Sequence, residues 1–297
     1  MASMDYHIRT DLAVETQERL IQSESEMRGI KYEEKEKAGG ITVSIVTIET
    51  ENASKKTGRP KGKYITIEAP NMTEEEVDAH RQIAKEFSKV LKEIVKKNCK
   101  KKEYHVLVVG LGNRDVTPDA LGPYVVDQLL ITRHIVNEYG KYAFGNEKVN
   151  SISALVPGVM AQTGMECLEI IKGVVNETKP DFVITIDALA SRSTKRLGTT
   201  IQLTDTGIVP GSGVGNHRNR ISKENIGVPV ISIGVPTVID AVTIVSDAVN
   251  SNRQMTERLM PPKLNGMFVT PKDIDDTIKK IGFLLSEGIN MAFSHNI

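Results

Sequence analysis

The tightest constraint on the fold comes from nearly unbroken runs of Val, Ile and Leu: "YHVLVVGL", "DFVITIDAL" and "GVPVISIGVP". A strand with one face in water alternates apolar and polar residues. These runs do not alternate, so both of their faces must be covered, as happens in parallel sheets flanked by helices. Shorter runs, "SISALVP" and "TTIQLTD", read as further strands. Between and after them lie stretches of helical period at 120–136, 162–177, 237–249 and 271–293. Strand and helix in alternation predict an α/β fold, a doubly wound and mostly parallel sheet with helices on both faces.

The first hundred residues add other elements. A charged helix is expected over 12–27, and strands over 41–49 and 63–70. The polar stretch "TENASKKTGRPKG" between those strands (50–62) reads as a mobile loop. A long amphipathic helix follows at 71–98, with Asn71 or Thr73 as its cap and three glutamates in its first turn. Its lysine-rich end suits the helix dipole, so the run "KKNCKKK" needs no anion to explain it. No internal repeat divides the chain. A single domain with a β-rich extension at 41–70 accounts for residues 12–297.

Charge excludes some functions. The 297 residues carry 38 basic and 38 acidic side chains, a formal net charge of zero, so no global field draws nucleic acid or membrane. The two cysteines, Cys99 and Cys167, have no CxxC partner, and the six histidines show no ligand spacing. A reducing compartment is expected, with no metal and no disulfide. No apolar stretch approaches the ~20 residues that span a bilayer, so the expected location is cytoplasmic.

Three kinds of chemistry have candidate residues in the chain. Glycine loops at "VVGLGN" and "PGSGVGN" suggest a nucleotide site, but the first has no third glycine and neither is followed by Gly-Lys-Ser/Thr. Ser212 beside His217, or Cys167, would have to serve a serine or cysteine hydrolase. A loop or capping serine and a core cysteine are the plainer readings. Carboxylates remain. Asp119 follows the strand "YHVLVVGL" in "VTPDALGP", and Asp187 ends "DFVITID". If the strands at 104–110, 151–156 and 181–187 take the order 2-1-3, the first and third are neighbours. Both acids then face the crevice at the topological switch point, where such sheets bind ligands. Arg114 and Arg192 are close enough in sequence to reach inward. Each acid alone is equally readable as a cap or a loop ligand.

The blocks "VTPDALGP", "PGVMAQTGMECLEIIKGVV", "PDFVITIDALASR", "TIQLTDTGIVPGSGVGNHR", "GVPVISIGVPTVIDA" and the leader "RTDLAVE" together resemble the spore germination protease family. The resemblance covers almost the whole chain and is weakest at "YGKYAFGNEKVN". It implies an atypical aspartic endopeptidase with a fold similar to that of hydrogenase-maturation peptidases. It implies a zymogen and homotetramer of the spore core that degrades small acid-soluble DNA-coating proteins, without a cofactor and without binding nucleic acid or membrane itself. The family's proposed catalytic pair falls on Asp119 and Asp187. The leader "TDLAVE" is similar to the family's cleavage sequence, which implies a propeptide of residues 1–11 and a cut between Asp11 and Leu12. The loop Gly211–Ser212–Gly213 is a candidate substrate or oxyanion site. On this reading mild acid releases the leader by protonating carboxylates that hold it. A metal-sensing maturation peptidase and a nucleotide-binding module stand as the alternatives.

Overall fold

In the computed structural model, residues 10–22, 28–74, 76–140, 142, 149–215, 218–248, 264 and 266–293 are described. Residues 1–9, which make up most of the expected propeptide, His217 and most of the stretch 141–148 lie outside them.

The buried runs form strands as their composition requires. Four are parallel and make the centre of one sheet: β4 (His105–Gly110), β5 (Ser151–Leu155), β6 (Phe182–Ser191) and β8 (Val230–Asp240). Their spatial order is β5-β4-β6-β8, so the first strand lies between the second and third, the 2-1-3 arrangement. Antiparallel strands continue the sheet beyond β8: β7 (Thr200–Thr204), β3 (Gly62–Glu68), β2 (Ile41–Ile48) and β1 (Ile30–Lys37). A two-residue strand, β9 (Phe268–Val269), pairs with the end of β8.

Helices cover both faces. On one face, α3 (Val77–Asn98), α4 (Leu121–Asp127) and α10 (Ile274–Phe293) bury residues such as Phe87, Leu121 and Leu285 against Val108, Ile184, Ile201 and Ile231. On the other, α7 (Cys167–Thr178) packs Leu168 and Ile171 on Leu107, Val109 and Val183. Farther along that second face, α1 (Ala13–Gln22) sets Ala13 on Val46, Ile48 and Tyr64. The gap between α7 and α1 leaves part of β6, β8 and β7 uncovered by helix. This gap is where the site forms.

Several boundaries depart from the sequence expectations, each for a local reason. The stretch 50–62 is not a mobile loop. It holds a helix, α2 (Glu51–Thr57), whose first turn is capped by the Thr50 hydroxyl accepting from Ala53 N–H and which ends at Gly58. The long helix begins at Val77 rather than at Asn71 or Thr73, because Pro70–Thr73 makes a separate 3-10 turn anchored by fully buried Met72. The helical stretch at 120–136 divides into α4 and α5 (Arg133–Tyr139). Thr132 between them is tied to the β5 edge through Ile152 O at 3.1 Å and Asn150 O at 2.6 Å. The stretch at 162–177 divides at Gly164 into α6 (Met160–Thr163) and α7. Strand β8 runs to Asp240, through residues expected to start a helix. There it finds pairing partners on two edges, Ser191 in β6 and Val269 in β9. The helix that follows, α9, spans Ala241–Ala248 and comes after α8 (Lys223–Ile226).

Candidate active site

Strand β4 ends its pairing with β6 at Gly110 opposite Ile186. Asp187 is the next residue of β6, the first to run past its neighbour. The chain leaving β4 returns over the same point: Asp119 closes a 3-10 turn, Thr117–Asp119, before α4 begins at Leu121. Helices α4 and α7, which follow β4 and β5, lie on opposite faces, so β4 and β6 flank the switch point of the sheet. Asp119 and Asp187 line one cavity of about 400 Å³ there.

Asp119 is not a helix cap. Its carboxylate accepts the Asn113 backbone N–H at 2.8 Å, and no side chain caps α4. Burial raises its pKa, and the single amide bond opposes that only in part. Asp187 is 3 % exposed and accepts the N–H of Ala188 at 3.0 Å. Its pKa stands well above the usual carboxylate range. Burial is the main cause, followed by the negative charges of Asp119 and then Asp11, while amide bonds from Ala188 and Gly211 oppose the shift. Asp119 is half-buried and Asp187 buried, their charges disfavour each other, and Asp187 is held the more strongly toward its neutral form.

Arg114 turns away from the site. It forms a bidentate pair with Asp127 at 2.5 and 2.8 Å on the exposed side of α4. For Arg192, the backbone N–H donates to Glu15 at 2.8 Å. Arg218 lines the cavity and pairs with Glu166 at 3.6 Å, and Arg59, just after α2, approaches Asp11. It donates to Thr10 O at 3.1 Å and Thr16 Oγ1 at 3.3 Å, and its charge acts on Asp11.

Asp11 joins the same cavity, carried by the leader. Beyond Asp187, β6 has lost β4 from its side, and Asp11 takes up part of that free edge. Its N–H donates to Ala190 O at 2.9 Å and its Oδ2 accepts the Ala190 N–H at 2.9 Å. The other oxygen accepts Ser212 Oγ at 2.8 Å. A Cβ on Gly213 would stand 2.0 Å from Asp11 Oδ2, so only glycine leaves room for the acid. The loop Gly211–Ser212–Gly213 therefore meets the Asp11 side chain and Asp187, and the bonds to the Asp11 carbonyl come from elsewhere. Burial raises the Asp11 pKa, against the bonds from Ala190 and Ser212 and the charge of Arg59.

Leu12 is fully buried against Val14 and Leu189, with Ile208 alongside. From Ala13 the chain is helical. The Asp11–Leu12 bond thus sits just ahead of the helix. Thr10 and Glu15, the outer residues of "TDLAVE", hold each other: the Thr10 hydroxyl donates to the Glu15 carboxylate and accepts the Leu12 N–H at 3.0 Å.

Nothing in the sequence marks Gln202. Its side-chain amide donates to Asp11 O at 2.9 Å and accepts Ala13 N–H at 2.7 Å. A glutamine in the strand "TTIQLTD" carries no motif, and its partners are far off in the chain. Cys167 lines the cavity, but burial, then the charges of Asp187 and Glu166, raise its thiol pKa and disfavour the thiolate. Ser212 is engaged with Asp11. Among the described residues, no group of three or more His, Cys, Asp or Glu is placed to hold a metal ion. No helix among them is long and apolar enough to cross a membrane.

Comparison with known proteins places this geometry in context. A family model described as germination protease matches residues 8–252. The germination protease of Caldanaerobacter subterraneus subsp. tengcongensis is 47 % identical, over 96 % of this chain and 94 % of its own length. That of Clostridium perfringens is 39 % identical, over 98 % of this chain and 97 % of its own. Among solved structures, the [NiFe] hydrogenase maturation protease HycI from Thermococcus kodakarensis aligns with a TM-score of 0.34 and 17 % identity, covering 67 % of this chain and 98 % of that one.

Proposed function

This chain belongs to the germination protease family, and from that premise we propose that it cleaves small acid-soluble DNA-coating proteins of the spore by water attack between Asp119 and Asp187, after removing its own residues up to Asp11. The observation that carries this reading is the meeting of three carboxylates in one cavity, Asp11, Asp119 and Asp187, with the leader bound across it.

The roles follow from the environments. Asp119 loses its proton first and is the base; Asp187 keeps its proton and is the acid. Asp119 takes a proton from water as the oxygen attacks the Asp11 carbonyl carbon, and Asp187 gives its proton to the carbonyl oxygen. Collapse of the tetrahedral adduct breaks the C–N bond and expels the Leu12 amine, which takes its proton from Asp119. As the carboxylic acid forms, one hydroxyl of the adduct returns its proton to Asp187, so the products are a carboxylic acid and an amine and the pair is back in its starting state, Asp119 ionised and Asp187 protonated.

The chain as it stands carries an intact Asp11–Leu12 bond whose far side is helical. A protease reads extended backbone, so the first turn of α1 must straighten before the bond can be cut. That requirement supports a zymogen. Assembly as a homotetramer and residence in the spore core are expected on the family resemblance, and the mass of the native particle in solution checks the first.

The effect of acid follows from the pKa directions, with a correction of cause. Asp11 has a raised pKa in its seat, so protonation favours the seat instead of releasing it. Acid acts through the pair: as pH rises through the raised pKa of Asp187 its proton is lost and cleavage slows. Leader removal is therefore expected to be faster at mildly acidic than at alkaline pH. Terminal sequencing of the product should read Leu-Ala-Val-Glu, and incubation with a spore DNA-coating protein should yield cuts after acidic residues. A product starting elsewhere, or a rate that climbs steadily with pH, overturns the reading. Cys167→Ser should keep full activity, which separates the carboxylate pair from a thiol nucleophile.

A further inference from the structure

We infer that Gln202 is the group that grips the carbonyl of the bond to be cut, acting with Asp187 from the sheet row that both share with Gly234. The inference rests on the Asp119/Asp187 reading and extends it to a residue no motif marks. Gln202 in β7 and Asp187 in β6 are both register partners of Gly234 in β8. Residues in one row of a sheet project to one face, and three adjacent strands put the outer two backbones roughly 10 Å apart. Between them Gly234 has no side chain, and a Cβ there would stand 2.5 Å from the Leu189 side chain. Leu189 fills that gap and forms the apolar seat on which Leu12 rests.

The result is a framed peptide bond. Asp11 O accepts from Gln202 Nε2 at 2.9 Å, and Gln202 Oε1 accepts Ala13 N–H at 2.7 Å. One side-chain amide thus spans the residue after the scissile bond, Leu12, and fixes the carbonyl on one side of it. Asp11 is held at its side chain by Ser212 and Ala190. These contacts leave the carbonyl with a fixed donor that can follow the charge building on the oxygen as water adds. Gln202 is itself buried, so it is already stripped of water and aimed.

A glutamine that only anchored α1 would make the same two bonds, and the test must separate the roles. Full-length chains carrying Gln202→Leu, Gln202→Glu or Asp187→Asn are compared with the unaltered chain for the rate of leader release across pH, with circular dichroism to confirm folding. Gln202→Leu is expected to slow release on the order of 100-fold at every pH, the loss that follows removal of one such donor. Gln202→Glu is expected to be slow where the introduced carboxyl is ionised. Once protonated, that carboxyl both donates and accepts, so its rate relative to the unaltered chain should recover as pH falls. If both folded variants release the leader at the unaltered rate while Asp187→Asn does not, the inference about Gln202 falls and the carboxylate pair stands. If Asp187→Asn itself releases the leader normally, the underlying reading falls. Should Gln202→Leu not fold, absence of acid recovery in Gln202→Glu overturns the inference on its own.

Discussion

Asp187→Asn is expected to stop proteolysis and, at the same time, to make the folded protein harder to melt. The catalytic loss should be about 10²–10⁴-fold, the usual contribution of one acid–base group. The gain in stability has a separate origin. Asp187 is 3 % exposed and is pushed toward the neutral form by burial and by the charges of Asp119 and Asp11. A group with a raised folded-state pKa contributes stability that is fully present below its unfolded pKa and is lost as pH rises through the folded value. At neutral and alkaline pH the native Asp187 is therefore a liability, and a neutral amide of the same shape removes it. The melting temperature of Asp187→Asn should exceed that of the unaltered protein by at least about 2 °C near neutrality, since 1 kcal/mol is worth about 2–4 °C in a chain of this size. The difference should vanish in acid, where both side chains are neutral. An active variant sinks the mechanism. An inactive variant that melts lower at every pH would mean that the carboxyl is structural.

Arg196→Met should produce the largest loss of stability among single changes near the leader. Arg196 contacts Glu15 at 3.4 Å, Glu18 at 2.7 Å and Glu68 at 2.6 Å, joining α1 to the sheet. Its side chain is 13 % exposed and that of Glu15 only 2 %. Removing the cation leaves three carboxylates together, one of them out of reach of water. Loss of one partner from a buried pair costs about 3–5 kcal/mol. Glu18 and Glu68 are partly solvated, and Glu15 keeps the N–H bonds of Arg192 and Ser193 at 2.8 and 3.0 Å. We therefore expect the lower part of that range, about 3 kcal/mol, read as a shift of the urea midpoint at constant slope. The Leu12 seat, worth roughly 2 kcal/mol of apolar burial, remains. Leu12 then stays seated while the first turn of α1, which carries Glu15, loses its tie to Arg196, so that turn straightens more readily and leader removal speeds up. Adding Glu15→Gln should restore part of the stability, because the stranded charge is gone. Unchanged midpoint and unchanged rate would show that the contacts of Arg196 do not hold α1.

The contrast between these two residues shows what could be read in advance. Asp187 was legible because it ends an apolar run, and a run covered on both faces ends at the rim of a parallel sheet. Asp119 was legible by the same logic once the order of three strands was assumed. Arg196, Arg59 and Gln202 were not. Each is an ordinary polar residue locally, and each takes its meaning from partners brought near by folding: Gln202 meets Ala13 across 189 positions and Arg59 meets Thr10 across 49. Strand β1 escaped notice for another reason. Its "IKYEEKEK" is exposed save for Ile30 and pairs along one edge only, so no hydrophobic period marks it. Helix α2 did carry signals, a capping Thr50 and a closing Gly58, but its two lysines and one serine read as a loop.

By itself, the order of residues determined the layered α/β class, the central strands and the rim position of two acids, because burial on both faces imposes a composition that short windows display. Only the folded chain decided that Asp11 pairs with the free edge of β6, that Arg114 faces away while Arg59 faces in, and that Gln202 brackets Leu12. Those outcomes depend on which side of which strand stays open, and hydrogen bonds between distant segments leave no periodic trace along the chain.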